Sequence, residues 1–248
     1  MKTKTNFFSL ALILSLLLIC FTTVSSVHGN SSERLTPLTP TDTEGVLVFQ
    51  AEHTNSPLGN WEIISPGHPR FFPGASNDVM LYFTGNAPNL GPPDSPIKYT
   101  FKAPESGTYQ LTIRSSRILE GARNDHCNDY FVRMEGDFEP GEFGSHDTFS
   151  KSILESDTKH YFSSVPDREW GWTVLGERRI DGENVKKRLF YNLKKDEVYT
   201  LTVSGRSKRA IMDYIVLFDT SKVSMADVRD GEVKLMLEPR ADGSSSDD

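Results

Sequence analysis

The sequence predicts an all-β fold, a jelly-roll β-sandwich formed by a single domain with disordered termini. Short segments alternate between apolar and polar residues, and no window of comparable strength shows helical periodicity. Glycine and proline, with 18 and 14 copies among 248 residues, recur at turn spacing. Six or more short strands separated by such turns are typical of sandwiches and jelly rolls.

The clearest strands lie in the middle of the chain. The alternating segments 97–102 and 109–114 meet at a Pro- and Gly-containing turn, 103–108, which predicts a β-hairpin. Further predicted strands, with alternating or continuous apolar residues, are 46–51, 79–83, 130–135, 189–193, 199–203 and 211–218.

The chain divides into four predicted segments. Two lysines, an apolar run and small polar residues predict a secretory signal peptide over residues 1–29, and hence a secreted protein that is extracellular or periplasmic. The apolar run is shorter than the roughly 20 residues that span a bilayer, so we expect no membrane insertion. The Ser-, Thr- and Pro-rich segment 30–44 is expected to be a linker. The β domain is expected at 45–220, and a partly disordered C-terminal tail at 221–248.

The charge of the chain limits its partners. A net charge of −7 gives no broad attraction for nucleic acid or anionic membranes. Basic residues concentrate in the last third of the domain, so an acidic polysaccharide could bind if those loops converge; the alternative is a solvated face without a ligand. Removal of the signal peptide would leave Cys127 as the only cysteine, so we expect no internal disulfide.

Motifs of common enzyme classes are absent from the sequence. It contains no His-Glu-x-x-His zinc helix, no Gly-x-Ser-x-Gly elbow, no phosphate-binding loop and no cysteine pair. Paired carboxylates for glycoside hydrolysis meet in space rather than in sequence, so a polysaccharide hydrolase or lyase stays open as an alternative. We therefore assign no catalytic residue and favour a non-catalytic protein.

Two segments carry side chains suited to sugars. Arg117, Arg123, Asp125 and Asn128 offer guanidinium, carboxylate and amide groups that match sugar hydroxyls, although Asn and Asp also cap turns. In Trp170-Gly171-Trp172, the indole rings could stack on the apolar face of a sugar or pack in the core. The predicted carbohydrate-binding residues are Trp170, Trp172, Arg117, Asn128, Arg123 and Asp125.

Three short motifs resemble the β-sandwich carbohydrate-binding modules of families six and thirty-five, which have a galactose-binding-like jelly roll. The motifs are Phe49-Gln50-Ala51-Glu52, the turn 103–109 and Ile211-Met212-Asp213-Tyr214-Ile215, and the resemblance covers roughly residues 46–219. The segment 123–133 is also similar to modules attached to enzymes that degrade plant and algal polysaccharides. The resemblance implies a polysaccharide or oligosaccharide ligand, with polysaccharide-degrading enzymes as further candidate partners.

The resemblance also implies a structural calcium. In that family an acidic residue of the first strand and one of the last strand bind the ion. The resemblance implies that Glu52 and Asp213 are the corresponding ligands in this chain. The family often has Asn two positions before the second acid as part of its sugar site. Ile211 stands there in this chain, so that sugar contact is not carried over. A secreted surface or matrix module that binds another protein is a further alternative, because the fold alone permits it.

Overall fold

A computed structural model of the chain describes residues 41–43, 45–163 and 165–230. The predicted signal peptide, most of the predicted linker and the end of the predicted tail lie outside the described residues. Among the described residues, no helix is both long and apolar enough to cross a membrane.

The described residues are almost entirely in strands, with two short helices and one 3-10 turn. The elements are β1 Thr41–Thr43, β2 Val46–Gln50, β3 Trp61–Ile64, the 3-10 turn Ser76–Asp78, β4 Met80–Phe83, β5 Asp94–Lys102, β6 Gly107–Arg117, β7 Asp129–Glu135, β8 Glu139–Pro140, β9 Glu142–Phe143, β10 His146–Asp147, α1 Lys151–Leu154, β11 Thr158–Tyr161, β12 Gly171–Trp172, β13 Leu175–Ile180, β14 Glu183–Lys187, β15 Phe190–Leu193, β16 Val198–Gly205, β17 Ala210–Asp219 and α2 Met225–Asp230.

The strands form two antiparallel sheets. The nine-stranded sheet has the order β1-β2-β17-β6-β15-β8, with β12 paired to β6, β4 paired to β17 and β3 paired to β4. The six-stranded sheet has the order β14-β13-β11-β7-β16-β5, and β9 and β10 form a separate ribbon. This architecture confirms the predicted fold class, an all-β jelly-roll β-sandwich.

Aromatic side chains fill the space between the two sheets. Phe49 contacts Phe101 edge to face at 5.2 Å between ring centroids, and Tyr99 and Tyr130 are fully buried. Their hydroxyls donate to backbone carbonyls, Tyr99 to Ala51 at 2.6 Å and Tyr130 to Ile211. Buried tyrosines need such partners because an unpaired hydroxyl in the core is costly. The residue that follows β2 and the start of β17 are thereby tied to the opposite sheet.

The predicted hairpin at residues 103–108 is wrong. Strand β5 belongs to the six-stranded sheet and pairs with β16, whereas β6 belongs to the nine-stranded sheet and pairs with β15 and β17. The turn therefore crosses from one sheet to the other. The turn between β15 and β16 crosses in the same way. The alternation of apolar and polar residues cannot distinguish a hairpin within one sheet from a turn that crosses between sheets. In both arrangements the two strands point every second side chain into the shared core.

Three strands beyond the clear alternating segments extend the six-stranded sheet. They are β11, β13 and β14, and none of the three is among the strands predicted from the sequence. Pairing of β1 with β2 begins before residue 45, inside the predicted linker. Helix α2 lies inside the predicted tail, where Val228 is buried against the outer apolar cluster of β2 and β17.

His160 on β11 is fully buried, and its Nε2 lies 2.6 Å from the Thr173 hydroxyl. Burial lowers the pKa of His160 from its ordinary value of 6.5 to about 3. The unfolded chain therefore binds a proton that the native state does not between those two pH values. As the pH falls below about 6.5, this histidine should cost about 1.4 kcal/mol of stability per pH unit.

We predict that His160→Gln, which can still bond Thr173, removes this contribution. The difference in unfolding free energy between wild type and variant, measured in urea from pH 7 to pH 4, should shift in favour of the variant as the pH falls. His146→Gln, at an exposed position, is the matched control. If the difference in unfolding free energy between wild type and His160→Gln did not change with pH, the lowered pKa of His160 would be contradicted.

Candidate functional site

An open groove with a volume of about 1260 Å³ crosses one edge of the six-stranded sheet. Its walls come from the β6–β7 loop, the segment after β11 and the outward side chains of β11, β13 and β14. The lining residues are Arg117, Leu119, Ala122, Arg123, Asn124, Asp125, Asn128, Lys159, Tyr161, Ser163, Val165, Pro166, Asp167, Glu177 and Lys186. Four of the six predicted sugar-binding residues, Arg117, Arg123, Asp125 and Asn128, are thus brought together.

Arg117 supports the β6–β7 loop from below. Its side chain is buried, and Nη1 donates to the carbonyls of Asn124 at 2.6 Å and His126 at 3.2 Å. Desolvation lowers the pKa of the guanidinium, but the group keeps its charge because its ordinary pKa is so high. The loop turns tightly, with Cys127 at a φ of 58° and its N–H donating to Pro88 O at 2.7 Å. Arg117 therefore fixes the shape of one groove wall.

The polar side chains on this loop are more accessible. Arg123 and Asp125 pair with each other at 3.2 Å between Nε and Oδ1, and their side chains are 78% and 65% exposed. An ion pair so exposed contributes little stability, so both groups can exchange partners with a ligand. Asn128 donates from Nδ2 to Phe162 O at 2.8 Å, which fixes the amide at the groove.

The opposite wall is a row of side chains that the sequence analysis missed. Lys159, Glu177 and Lys186 are cross-strand neighbours on β11, β13 and β14. Glu177 accepts Lys159 Nζ at 3.3 Å and lies 3.7 Å from Lys186 Nζ. Tyr161 is half-buried on the same face of β11, with the Lys159 ammonium 4.8 Å from its ring centre. The wall thus combines an aromatic ring with charged groups of both signs.

The two tryptophans lie outside this groove and point to different apolar clusters. Trp170 packs on Phe72 with ring centroids 5.3 Å apart, and its Nε1 donates to Pro73 O at 3.2 Å. Trp172 packs edge to face on Tyr214 and lines a neighbouring cavity of about 250 Å³ that shares Tyr161 with the groove. Strand β12 covers only Gly171–Trp172, so the two rings do not form one platform.

Glu52 and Asp213 belong to the region of the other sheet: Glu52 lies two residues after β2, and Asp213 lies within β17, where its carbonyl accepts Ala51 N–H at 3.0 Å. Asp213 is fully buried; Oδ1 accepts Ser76 N–H at 2.9 Å and Oδ2 accepts Arg114 Nη1. Desolvation, partly offset by Arg114, raises the pKa of Asp213 to about 6. Burial also raises the pKa of Glu52, and the negative charge of Glu52 contributes to the rise at Asp213.

Two oxygens beside this acidic pair are buried without a hydrogen-bond partner among the described residues. They are Glu52 Oε2 and Gln50 Oε1, and Gln50 is linked to Asp213 through Ser76, which accepts Gln50 Nε2 at 3.1 Å. Carboxylate and amide oxygens are calcium ligands, and a cation would relieve both buried oxygens. The residues therefore fit a hard cation, although no cluster of three or more His, Cys, Asp or Glu occurs in the described part of the chain.

Comparison with solved structures returns carbohydrate-binding modules of families six and thirty-five. A family 35 module from Clostridium thermocellum has 15% identity and a TM-score of 0.38, over 69% of this chain and 97% of the module. The C-terminal family 6 module of a marine laminarinase from Zobellia galactanivorans has 14% identity and a TM-score of 0.36, over 70% and 99%.

Larger proteins also match. A Podospora anserina β-(1,4)-mannanase that contains a family 35 module has 10% identity and a TM-score of 0.41, over 74% of this chain. The matched region spans only 29% of the mannanase. No family model and no curated protein matches the sequence.

Proposed function

We propose that this protein binds a polysaccharide or oligosaccharide in the groove between the β6–β7 loop and the outer face of β11, β13 and β14, without acting on it. The observation that supports this most is the composition of the groove. It joins a half-buried tyrosine ring to exposed amide, carboxylate and guanidinium groups in one open channel. Sugars present both an apolar ring face and hydroxyls that donate and accept, so they match such a surface.

Each contact has a proposed role. Tyr161 stacks on a sugar ring, Asn128 and the Arg123–Asp125 pair bond hydroxyls, and Arg117 holds the loop that carries them. Trp172 would meet a ligand that extends into the neighbouring cavity. Trp170, which packs under Arg114 and on Phe72, is the sugar contact that the geometry supports least.

The carboxylates of the groove support a non-catalytic role. Glu177 is held between Lys159 and Lys186, and Asp167 accepts Leu119 N–H at 2.7 Å. Both carboxylates are thus engaged by protein groups, whereas glycoside hydrolysis needs a pair of carboxyl groups directed at the scissile bond. We further propose that the protein is exported, which rests on the signal-peptide pattern of residues 1–29.

We predict that Tyr161→Ala weakens retention on the best-bound polysaccharide of a glycan panel at least tenfold, because about 1.4 kcal/mol or more of ring contact is lost. Phe143→Ala, which removes an aromatic ring 45% exposed on β9 outside the groove, should bind like wild type. Affinity electrophoresis would measure both. Equal binding by wild type and folded Tyr161→Ala would show that the groove is not the sugar-binding site. Soluble product released from the panel would refute the non-catalytic role.

The proposal includes a structural calcium held by Glu52, Asp213 and Gln50. The two partnerless oxygens support it, since a cation would give both of them a partner. When bound, the ion would join the first and last strands of the domain through hard oxygen ligands. It would play no part in contacting the sugar.

We predict that calcium at about 100 times its Kd stabilises the protein by about 2.7 kcal/mol, a rise in Tm of roughly 5–10 °C. Glu52→Gln should lose most of this shift because it removes one negative ligand. Glu142→Gln, an exposed position on β9, should keep it. Differential scanning fluorimetry with calcium and then with chelator measures the shift; a wild-type Tm that is the same in both conditions would exclude the ion.

A further inference from the structure

We propose that Arg114 is a built-in counterion that limits the affinity of the Gln50–Glu52–Asp213 site for divalent cations, so that the protein stays folded without metal and binds calcium weakly. This inference rests on the calcium site proposed above. It assigns a role to a residue that lies outside the sugar groove and that no motif singled out.

The position of Arg114 places a positive charge directly on a proposed calcium ligand. Its Nη1 donates both to Asp213 Oδ2 and to Gly74 O, the latter at 2.8 Å. The Arg114 side chain is only 19% exposed and that of Asp213 is fully buried, so water screens the pair weakly. A divalent cation on Asp213 would have to bind against this guanidinium charge.

Arg114 is held in place on several sides. Its guanidinium carbon lies 4.6 Å from the ring centre of Trp170 and 5.7 Å from that of Tyr214. The segment that leads into the 3-10 turn contacts both members of the Arg114–Asp213 ion pair. Gly74 O accepts a hydrogen bond from Arg114, and Ser76 N–H donates to Asp213. Gly74 has a φ of 98°, and a Cβ there would meet Trp170 Nε1 at 2.9 Å. The arginine therefore cannot move away at low cost when a metal binds.

The charges around the site explain why a cation is still attracted. Arg114 pairs with the buried carboxylate of Asp213, whereas the half-buried Glu52 has His53 as its cationic neighbour in the described residues, at 3.9 Å from Glu52 Oε1. Asp129, another buried acid of the sandwich, contacts Arg206, Ser207 and Lys159. Two cationic side chains thus lie beside that single carboxylate, whereas Arg114 contacts only Asp213 of the Glu52–Asp213 pair and leaves one negative charge for an added cation.

The ligand charge of a calcium site sets its affinity over several orders of magnitude. Removing the positive charge of Arg114 should therefore tighten calcium binding at least about tenfold. The same change leaves two uncompensated carboxylates in the metal-free protein, so its Tm in chelator should fall. Calcium should then restore more stability to the variant than to wild type.

The test compares calcium titration by calorimetry with the Tm in calcium and in chelator. Arg114→Gln is the main variant and Arg114→Met the second, both neutral. Arg114→Lys keeps the charge, and Arg179→Gln removes an exposed charge on β13 away from the site. Tighter calcium binding and a larger Tm shift in the neutral variants only, or neutral variants that fold solely in calcium, are the expected results.

The other outcomes separate the two proposals. If wild type and neutral variants bind calcium equally, Arg114 does not limit the site and the inference fails while the calcium site stands. If no variant binds calcium, the calcium site itself is wrong. Neutral variants that stay unfolded even in calcium would also overturn the inference, because the ion would then fail to replace the lost charge.

Discussion

Strand β17 is the constraint on which the rest of the molecule depends. It pairs with β2 on one side and β6 on the other, and all ten of its residues are buried. A strand enclosed on both faces must be apolar or fully partnered, because buried polar groups without partners are costly. Asp213 is the exception within its interior. Arg114 and the backbone amide of Ser76 both donate to that carboxylate, which gives the buried charge its partners.

The groove depends on the same framework. Strand β6, held against β17 over most of its length, ends at Arg117, and that side chain supports the loop that carries Arg123 and Asn128. The facing wall stands on β11, which pairs with β7 and β13 inside the second sheet. One wall is thus a loop held by Arg117, and the other is a face of three paired strands. Walls fixed in this way would lose little entropy when a ligand binds.

Many strands of the sandwich could be predicted from the alternation of apolar and polar residues. In β5, β6, β7 and β16, every second side chain is apolar and points into the core. Sheet membership could not, since the turn at 103–108 looks the same whether it closes a hairpin or crosses the sandwich. Strand β11 escaped notice because its buried face is Thr158 and His160 rather than aliphatic residues. Tyr161 was not singled out for the same reason, whereas Arg123, Asp125 and Asn128 were predicted because their loop is rich in polar side chains.

We propose that the sugar lies between the β6–β7 loop and the outer face of β11, β13 and β14. Chemical-shift mapping of the isotope-labelled protein, titrated with soluble oligosaccharides of the polysaccharide it retains best, would locate the ligand. We expect the largest perturbations at the amides around Tyr161, Arg123 and Asn128, with little change near Glu52 and Trp170. Perturbations centred on Trp170 and the 3-10 turn at Ser76–Asp78, with none at Tyr161, would contradict it.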